Sequence, residues 1–182
     1  MLGFIRSKEL DTLFEQRRKR LYRLAYSWCH DGMLADDLVQ DTLGKALKSY
    51  QQLKDHRKID AWLFRILHNT WMDHLRRYKS TTDLDDVDPM GDENPENNLS
   101  DDQLIKKVRQ AVFSLPIPQR QVITLVDLEG CTYVEVADIL ALPIGTVMSR
   151  LCRGRKRLKD ILIALKKNEA SINSANYLRS VK

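Results

Sequence analysis

The sequence predicts an all-α protein built from two small helical domains. Apolar residues recur at three- and four-residue steps along most of the chain, and we see no segment with the two-residue period of a strand. Between the helical segments lies a stretch rich in Asp, Asn and Pro, which is too polar to form a core and is expected to be flexible. The predicted boundaries are 7–79 for the first domain, 80–101 for an acidic linker, 102–166 for the second domain and 167–182 for a polar C-terminal tail.

The charge distribution points to a polyanionic partner. The chain carries 30 Lys and Arg against 25 Asp and Glu, a net charge of +5. Nine of the acids fall within residues 81–102, which contain no Lys or Arg. The remainder keeps 30 basic and 16 acidic residues, a net charge of +14, and positive bodies of this kind attract polyanions.

Cysteine usage and hydropathy indicate a cytoplasmic protein without a metal or cofactor. The three cysteines are widely spaced, with no C-x-x-C and no Cys/His cluster at metal-ligand spacing. Free thiols suit a reducing compartment. The N-terminus has no apolar signal region, and no apolar run approaches the ~18 residues of a membrane span.

The first predicted helix is long and amphipathic, and it should end before Gly32. Its apolar positions are Leu10, Leu13, Phe14, Leu21, Leu24, Ala25 and Trp28. A basic run, residues 17–20 together with Arg23, lies within it. We expect this run to form a solvated face.

A second helix is predicted from Met33 to Gln52, with an acidic first half. Its core candidates are Leu38, Leu43, Ala46, Leu47 and Tyr50. The acidic half carries Asp36, Asp37, Gln40 and Asp41. Acidic side chains near the start of a helix can interact favourably with the helix dipole, or they can form a docking face for a basic partner. The sequence pattern alone leaves both explanations open.

The third predicted helix, Ile59 to Tyr78, follows a polar loop at residues 53–58 and is apolar on several faces. Its apolar residues are Trp62, Leu63, Phe64, Ile66, Leu67, Trp71 and Met72, mixed with Arg65, His68, Asn69, His74, Arg76 and Arg77. Apolar groups on several faces indicate deep burial or exposed aromatics. Aromatics interleaved with bases and an amide suit stacking on unpaired nucleotides, although a core role remains open, above all for Trp62.

Beyond the linker, a helix should begin at Asp101 or Asp102, with one apolar face. That face comprises Leu104, Val108, Ala111, Val112 and Leu115. The prolines of residues 116–118 end this helix and open another over residues 119–128. Gly130 should then end that second helix by adopting a left-handed conformation as its cap.

Residues 131–158 have the pattern of a helix-turn-helix. Thr132 and Glu135 have the spacing of a capping box, and Leu142-Pro143 interrupts the helical pattern. In the second helix one stripe is apolar, and polar and basic residues lie off it. The stripe is Ile144, Val147, Leu151 and Leu158; off it lie Thr146, Ser149, Arg150, Arg153 and Lys156. This motif places its second helix in the DNA major groove. The helix should continue to Leu165 and then fade into the tail.

Taken together, the two halves resemble a bacterial RNA polymerase sigma factor of the extracytoplasmic-function (ECF) group of the sigma-70 family. The segment WLFRILHNTWMDHLRR resembles the region 2 pattern W-L-x-x-I-x-x-N-x-x-x-D-x-x-R. The matching positions are Trp62, Leu63, Ile66, Asn69, Asp73 and Arg76. ADDLVQDTLGKAL resembles the acidic segment that docks on polymerase, and residues 115–158 are similar to region 4 nearly throughout.

The resemblance implies an alternative sigma factor that binds core RNA polymerase and directs promoter recognition and melting in response to stress. The implied partners are the clamp helices of the largest polymerase subunit, the polymerase flap near region 4, promoter DNA and a membrane-anchored anti-sigma factor. The acidic linker matches the connector that threads the RNA exit path. The resemblance implies neither a small-molecule substrate nor a cofactor.

It also implies site residues, position by position. Those matching core polymerase contacts are Asp37, Gln40 and Asp41. Those matching contacts to the −10 element are Lys45, Ser49, Leu53, Ile66, Asn69 and Arg76. Those matching the surface that faces the −35 major groove are Gly145, Thr146, Met148, Ser149, Cys152, Arg153 and Lys156. An amide beside an apolar wall suits the capture of an extruded base, since Asn offers both a donor and an acceptor.

Two other classes of protein were weighed against this interpretation. A helix-turn-helix regulator with an N-terminal sensing domain would not act as a polymerase subunit, and such a domain gains nothing from Asn69 and Arg76 exposed beside tryptophans. An enzyme is disfavoured because no nucleophile–base pair or ligand spacing occurs. The histidines closest in sequence, His68 and His74, are six residues apart and do not share a helical face.

Overall fold

The computed structural model describes residues 2–81 and 101–180, and all regular structure in these ranges is helical. The helices are α1 Leu2–Cys29, α2 Gly32–Ser49, α3 Ile59–Thr81, α4 Asp101–Phe113, α5 Ile117–Ile123, α6 Tyr133–Leu140 and α7 Ile144–Ser180. Most of the predicted linker lies outside the described residues. The predicted all-α class with two helical domains is confirmed, whereas the predicted domain boundaries stay predictions.

Helices α1, α2 and α7 differ in extent from the helices that the sequence predicts, and α3 ends three residues later than predicted, at Thr81. α1 begins at Leu2, eight residues before Leu10, the first apolar position predicted for this helix. The second helix ends at Ser49 and passes into a 3-10 turn, Tyr50–Gln52. α7 continues through the predicted tail to Ser180, so the polar composition there does not end the helix.

Helices α1–α3 pack around a core rich in aromatic rings. Trp28, Phe64 and Trp71 are fully buried. Of the two alternatives for α3, deep burial or exposed aromatic rings, burial is therefore correct for Phe64 and Trp71. Trp62 is half-buried and meets Tyr50 edge to face at 6.4 Å.

The core assignment of Leu47 is wrong, because this side chain is 47% exposed. α2 packs against both α1 and α3. The residues that it buries between them are Ala35, Leu38, Val39, Thr42 and Ala46, and Leu47 lies one position beyond that face.

The basic run of α1 is only partly a solvated face. Arg18, Lys19 and Arg23 are exposed. Arg17 and Arg20, however, bind the carboxylate of Asp60 on α3 at 2.7 and 2.6 Å. These two arginines therefore tie α1 to the start of α3, and the expectation of a uniformly solvated run is wrong for them.

Helices α4–α7 form the second set, with an irregular connection after α5. The predicted helix over residues 119–128 is α5 followed by a π-helical turn, Thr124–Leu128. Gly130 has a φ of 71°, as predicted for a left-handed cap. Ala141 also adopts a left-handed conformation, with a φ of 51°, and it ends α6 before Pro143.

Two positions predicted on apolar stripes of this set are more exposed than expected. Val108 is 36% exposed and Ile144 is 46% exposed. Ile144 is the first residue of α7, so it lies at the edge of the packed surface, which begins one turn later at Val147.

The two helical sets pack directly against each other. The indole Nε1 of Trp28 donates to Thr124 Oγ1 at 2.8 Å, and the buried guanidinium of Arg120 donates to the carbonyl of Trp28 at 2.6 Å. α6 packs across α3. Most of the buried apolar residues of both sets belong to one continuous core.

The N-terminus of α6 is held by the predicted capping box. Thr132 Oγ1 accepts from the backbone N–H of Glu135 at 3.3 Å, and the Glu135 carboxylate accepts from the backbone N–H of Thr132 at 2.8 Å. The hydrogen bond from the Thr132 backbone is the largest influence that lowers the pKa of Glu135. α6 has only eight residues, so the hydrogen bonds that cap its first turn contribute a large part of its stability.

We expect Thr132→Ala to lower the free energy of unfolding by about 1 kcal/mol, the usual value of a lost N-cap. Urea unfolding followed by circular dichroism measures this change. The dependence of the unfolding free energy on urea concentration should stay as in wild type. Thr132→Ser keeps the cap oxygen and should unfold near the wild-type midpoint. An Ala variant as stable as wild type would show that packing alone holds α6.

Candidate nucleic-acid interface

One side of α7 is exposed and carries the residues that the resemblance predicts for the −35 element. Val147 and Leu151 are buried against the domain, together with Gly154. On the opposite side Met148 is 52% exposed. The other predicted positions that are exposed are Gly145, Ser149, Cys152, Arg153 and Lys156, and Thr146 is half-buried. Residues at steps of three and four share a helix face, so the structure brings these side chains to one surface.

Ser149 and Arg153 form a linked pair on that surface. The Nε of Arg153 donates to the Ser149 carbonyl at 3.2 Å, and a guanidinium Nη2 lies 3.4 Å from Ser149 Oγ. Arg155, the neighbour of Lys156 on α7, makes two hydrogen bonds to Asp127 at 2.5 and 3.1 Å. That ion pair reduces the availability of Arg155 for DNA, whereas Lys156 and Arg157 remain exposed.

A second polar surface runs along α3. Asn69 and Arg76 are exposed and Ile66 is half-buried, so an apolar side chain lies one turn before an exposed amide. Lys45 reaches this surface from α2, with Nζ 3.0 Å from Thr70 Oγ1. Four of the predicted −10 positions are therefore close to one another in the fold.

The other two predicted −10 positions lie further along α2 and just after it. Ser49, at the end of α2, donates to the carbonyl of Lys45 at 2.7 Å. Leu53 follows the 3-10 turn and packs, half-buried, against the core. Ser49 is one helical turn from Lys45. Leu53 packs against the core, so only part of its side chain is available to a DNA surface.

Asp73 organises this second surface, a role that sequence spacing did not indicate. Its carboxylate lies 2.5 Å from the guanidinium of Arg76 and 3.8 Å from Lys45 Nζ. It thus holds two cations from different helices beside Asn69. Asp73 is part of the quoted family pattern, but its link to Lys45 crosses between helices, and only the fold could reveal it.

The acidic residues of α2 form an exposed face that the helix dipole does not explain. Asp31 is the N-cap of α2, and its carboxylate accepts from the backbone N–H of Leu34 at 3.0 Å. Asp37, Gln40 and Asp41 are exposed and lie beyond the first helical turn, where the dipole effect has faded. The helix dipole therefore does not account for these three residues, and a docking face stays a prediction.

Burial is the main cause of the large pKa shifts among the described residues. Burial lowers the pKa of His68 to about 4, so it is neutral at pH 7, and its Nδ1 lies 3.1 Å from Gln121 Nε2. Burial likewise raises the pKa of Cys29 and of Cys131 to about 11. Across residues 2–81 and 101–180, no three His, Cys, Asp or Glu side chains cluster as metal ligands would. None of the helices in the described ranges is both long and apolar enough to cross a membrane.

Both helical sets match known protein families. Residues 13–81 match the family described as Sigma-70 region 2, and residues 105–158 match the family described as Sigma-70, region 4. The chain is 36% identical over 158 residues to the ECF RNA polymerase sigma factor SigE of Mycolicibacterium smegmatis, covering 84% of this chain and 61% of that protein, less than two thirds of its length.

A second relative is matched over more of its length. Identity is 32% over 154 residues with the ECF RNA polymerase sigma factor SigM of Mycobacterium tuberculosis, covering 84% of this chain and 76% of that protein. Among solved structures, the sigma factor RpoE of Bartonella quintana, crystallised with the anti-sigma factor NepR, superimposes with a TM-score of 0.69 at 27% identity, over 85% of this chain and 97% of that chain. With both regions matched in order and a relative matched along most of its length, the chain belongs to the ECF group of the sigma-70 family of RNA polymerase sigma factors.

Proposed function

We propose that this chain binds core RNA polymerase in the cytoplasm and directs it to promoters as an alternative, stress-responsive sigma factor. The observation that carries the proposal is the presence, in one ECF-family chain, of an exposed acidic face on α2 and two exposed polar surfaces on α3 and α7. The chain acts by binding, and the polymerase supplies the catalytic centre.

Each surface has a distinct task in this proposal. Asp37, Gln40 and Asp41 dock on the clamp helices of the largest polymerase subunit, where exposed carboxylates meet basic side chains. Asn69 hydrogen-bonds the edge of an unpaired −10 base against the apolar side chain of Ile66. The α7 surface enters the −35 major groove as the second helix of a helix-turn-helix.

The proposal includes an anti-sigma partner. The solved relative from Bartonella quintana is bound to an anti-sigma factor, and the superposition covers most of this chain. A partner that covers the acidic face of α2 would prevent docking on polymerase. We infer that this partner is membrane-anchored, as is common for a sigma factor that responds to stress outside the cell.

The central test is whether DNA recognition depends on polymerase. Each DNA surface is small and covers only part of a bipartite promoter, so the chain alone should bind duplex DNA weakly and with strong salt dependence. With core polymerase, run-off transcription on genomic fragments should start at discrete promoters. Tight sequence-specific duplex binding by the chain alone would instead favour a regulator that is not a polymerase subunit.

We expect Asn69→Ala to impair promoter melting and leave polymerase binding intact. Permanganate reactivity of the −10 thymines should fall, and a pre-melted template should restore part of the transcript yield. Asn69 is exposed, so thermal unfolding should be unchanged. Arg65→Ala, also an exposed residue of α3, is the matched control and should melt the promoter normally. If the pre-melted template restores nothing, the role of Asn69 in base capture is refuted.

We expect Arg153 mainly to anchor the DNA backbone and Ser149 to carry more of the sequence preference. Arg153→Ala should weaken binding uniformly across promoter variants. It should also reduce, by about one, the slope of the logarithm of the binding constant against the logarithm of the salt concentration. Ser149→Ala should relax preference at one −35 position, whereas a guanine contact by Arg153 would appear as a ~1–3 kcal/mol loss at one position. Holoenzyme binding to a library of single −35 substitutions at several salt concentrations measures both. If neither substitution alters affinity, preference or slope, α7 does not enter the groove.

A further inference from the structure

A carboxylate lies in the middle of the polar surface of α3. Asp73 follows the exposed amide of Asn69 by one helical turn and lies on the same face of the helix. Its side chain is 43% exposed. A negative charge repels the phosphates of a nucleic acid, and like charges that meet at an interface weaken binding. The position of Asp73 on a surface that is proposed to bind DNA therefore needs a physical explanation.

Asp73 binds two cations from different helices. The guanidinium of Arg76 lies 2.5 Å from the carboxylate, and Lys45 Nζ of α2 lies 3.8 Å from it. A second group holds the lysine, since Lys45 Nζ donates to Thr70 Oγ1 at 3.0 Å. Thr70 is 1% exposed, and its hydroxyl donates in turn to the carbonyl of Ile66 at 2.9 Å. The ammonium group of Lys45 is thus held from two sides.

Both cations keep hydrogen-bond donors for a further partner. The side chains of Lys45 and Arg76 are 46% and 75% exposed. An ammonium group has three donors and a guanidinium group has five, so the contacts to Asp73 and Thr70 leave donors unused. Two positive charges and one negative charge also leave a net positive charge at this place. Because both head groups lie against the same carboxylate, they are close enough together for one phosphate to contact both.

The position of the two cations fits a phosphate beside the captured base. Asn69 precedes Asp73 by four residues, about 6 Å along the axis of α3. A nucleotide that is flipped out of the stack rotates about its backbone, so its flanking phosphates stay outside the pocket that the base enters. A base bound by the Asn69 amide would therefore bring one of these phosphates to Lys45 and Arg76. Charge-assisted hydrogen bonds to phosphate are stronger than neutral ones.

We propose that Asp73 is a positioning residue, and that it holds Lys45 and Arg76 as a clamp on one phosphate that flanks the unpaired −10 base. This inference rests on the proposed function. Long basic side chains lose conformational entropy when an interface immobilises them. The Asp73 carboxylate and the Thr70 hydroxyl order these two side chains before DNA arrives, so binding has less entropy to lose. Asp73 acts through the two cations and makes no contact with DNA of its own.

Asp73→Asn separates this role from simple repulsion by the direction of its effect. The substitution keeps the size of the side chain and removes one negative charge. If Asp73 only repelled DNA, the variant would bind promoter DNA more tightly than wild type. A positioning role predicts binding about threefold weaker, as expected for the loss of exposed ion pairs, although the chain has become more positive.

Two further variants complete the comparison. Asp73→Glu keeps the charge and should retain most of the wild-type affinity. Glu15→Gln, at an exposed position of α1, removes the same charge away from the clamp and is the matched control. It should bind promoter DNA as wild type does.

The measurement is the affinity of holoenzyme for a fork made from a promoter found by run-off transcription, with a single-stranded −10 non-template strand. A series of forks carries one uncharged methylphosphonate linkage each, at successive positions through the −10 element. Wild type should lose affinity about threefold or more at one linkage beside the captured base. Asp73→Asn should lose less there, because both changes remove the same contact and their effects do not add.

Thr70→Val is a second, independent variant of the clamp. The valine keeps the buried, branched shape but removes the hydrogen bond to Lys45, so it should also weaken fork binding and reduce the loss at that linkage. Thermal unfolding verifies that each variant is folded. If Asp73→Asn unfolds, Thr70→Val and the same series of forks decide.

Three results would overturn the proposal. They are Asp73→Asn binding at least as tightly as wild type, an undiminished loss at the methylphosphonate linkage in that variant, and an equal loss of affinity in Glu15→Gln. A failure of the proposed function looks different, because wild-type holoenzyme would then not distinguish promoter forks from forks of unrelated sequence.

Discussion

The fold depends on one buried guanidinium, that of Arg120. It donates to the carbonyl of Phe113, the last residue of α4, and to that of Leu115 just beyond, at 3.0 Å for Leu115. It also donates to the carbonyl of Trp28 at the end of α1. Carbonyls at helix ends lack partners within the helix and carry partial negative charge. The planar face of Arg120 also lies 4.2 Å from the ring of Phe113. Lysine could not replace it, because only arginine offers five donors in a fixed plane.

Features set by neighbouring residues were predictable from the sequence. The capping box of Thr132 and Glu135 and the left-handed Gly130 depend on contacts within a few positions, and both occur as predicted. The exposed surface of α7 was also predictable, since helical spacing alone separates Val147 and Leu151 from Ser149 and Cys152. Because of this helical spacing, the exposed residues of α7 could be predicted before the fold was known.

Features set by distant residues were not predictable. The Trp28–Thr124 bond joins residues 96 positions apart, and no local pattern marks Arg120 as buried. Asp73 was known only as a motif position, because its link to Lys45 crosses between helices. Arg17 and Arg20 looked like a solvated run until Asp60 was placed beside them. Periodicity tells which face of a helix is apolar, but not which other helix lies against it.

The π-helical turn at Thr124–Leu128 constrains the length of this segment. Its i to i+5 bond, from the N–H of Glu129 to the carbonyl of Thr124 at 3.0 Å, accommodates one residue more than an α-helical turn does. As a result Thr124 and Glu129 both face α1, one toward Trp28 and the other toward Arg20. Loss of a single residue here would restore regular helix and rotate Glu129 away from its arginine. Homologous chains that keep both contacts should therefore align through this turn without an insertion or a deletion.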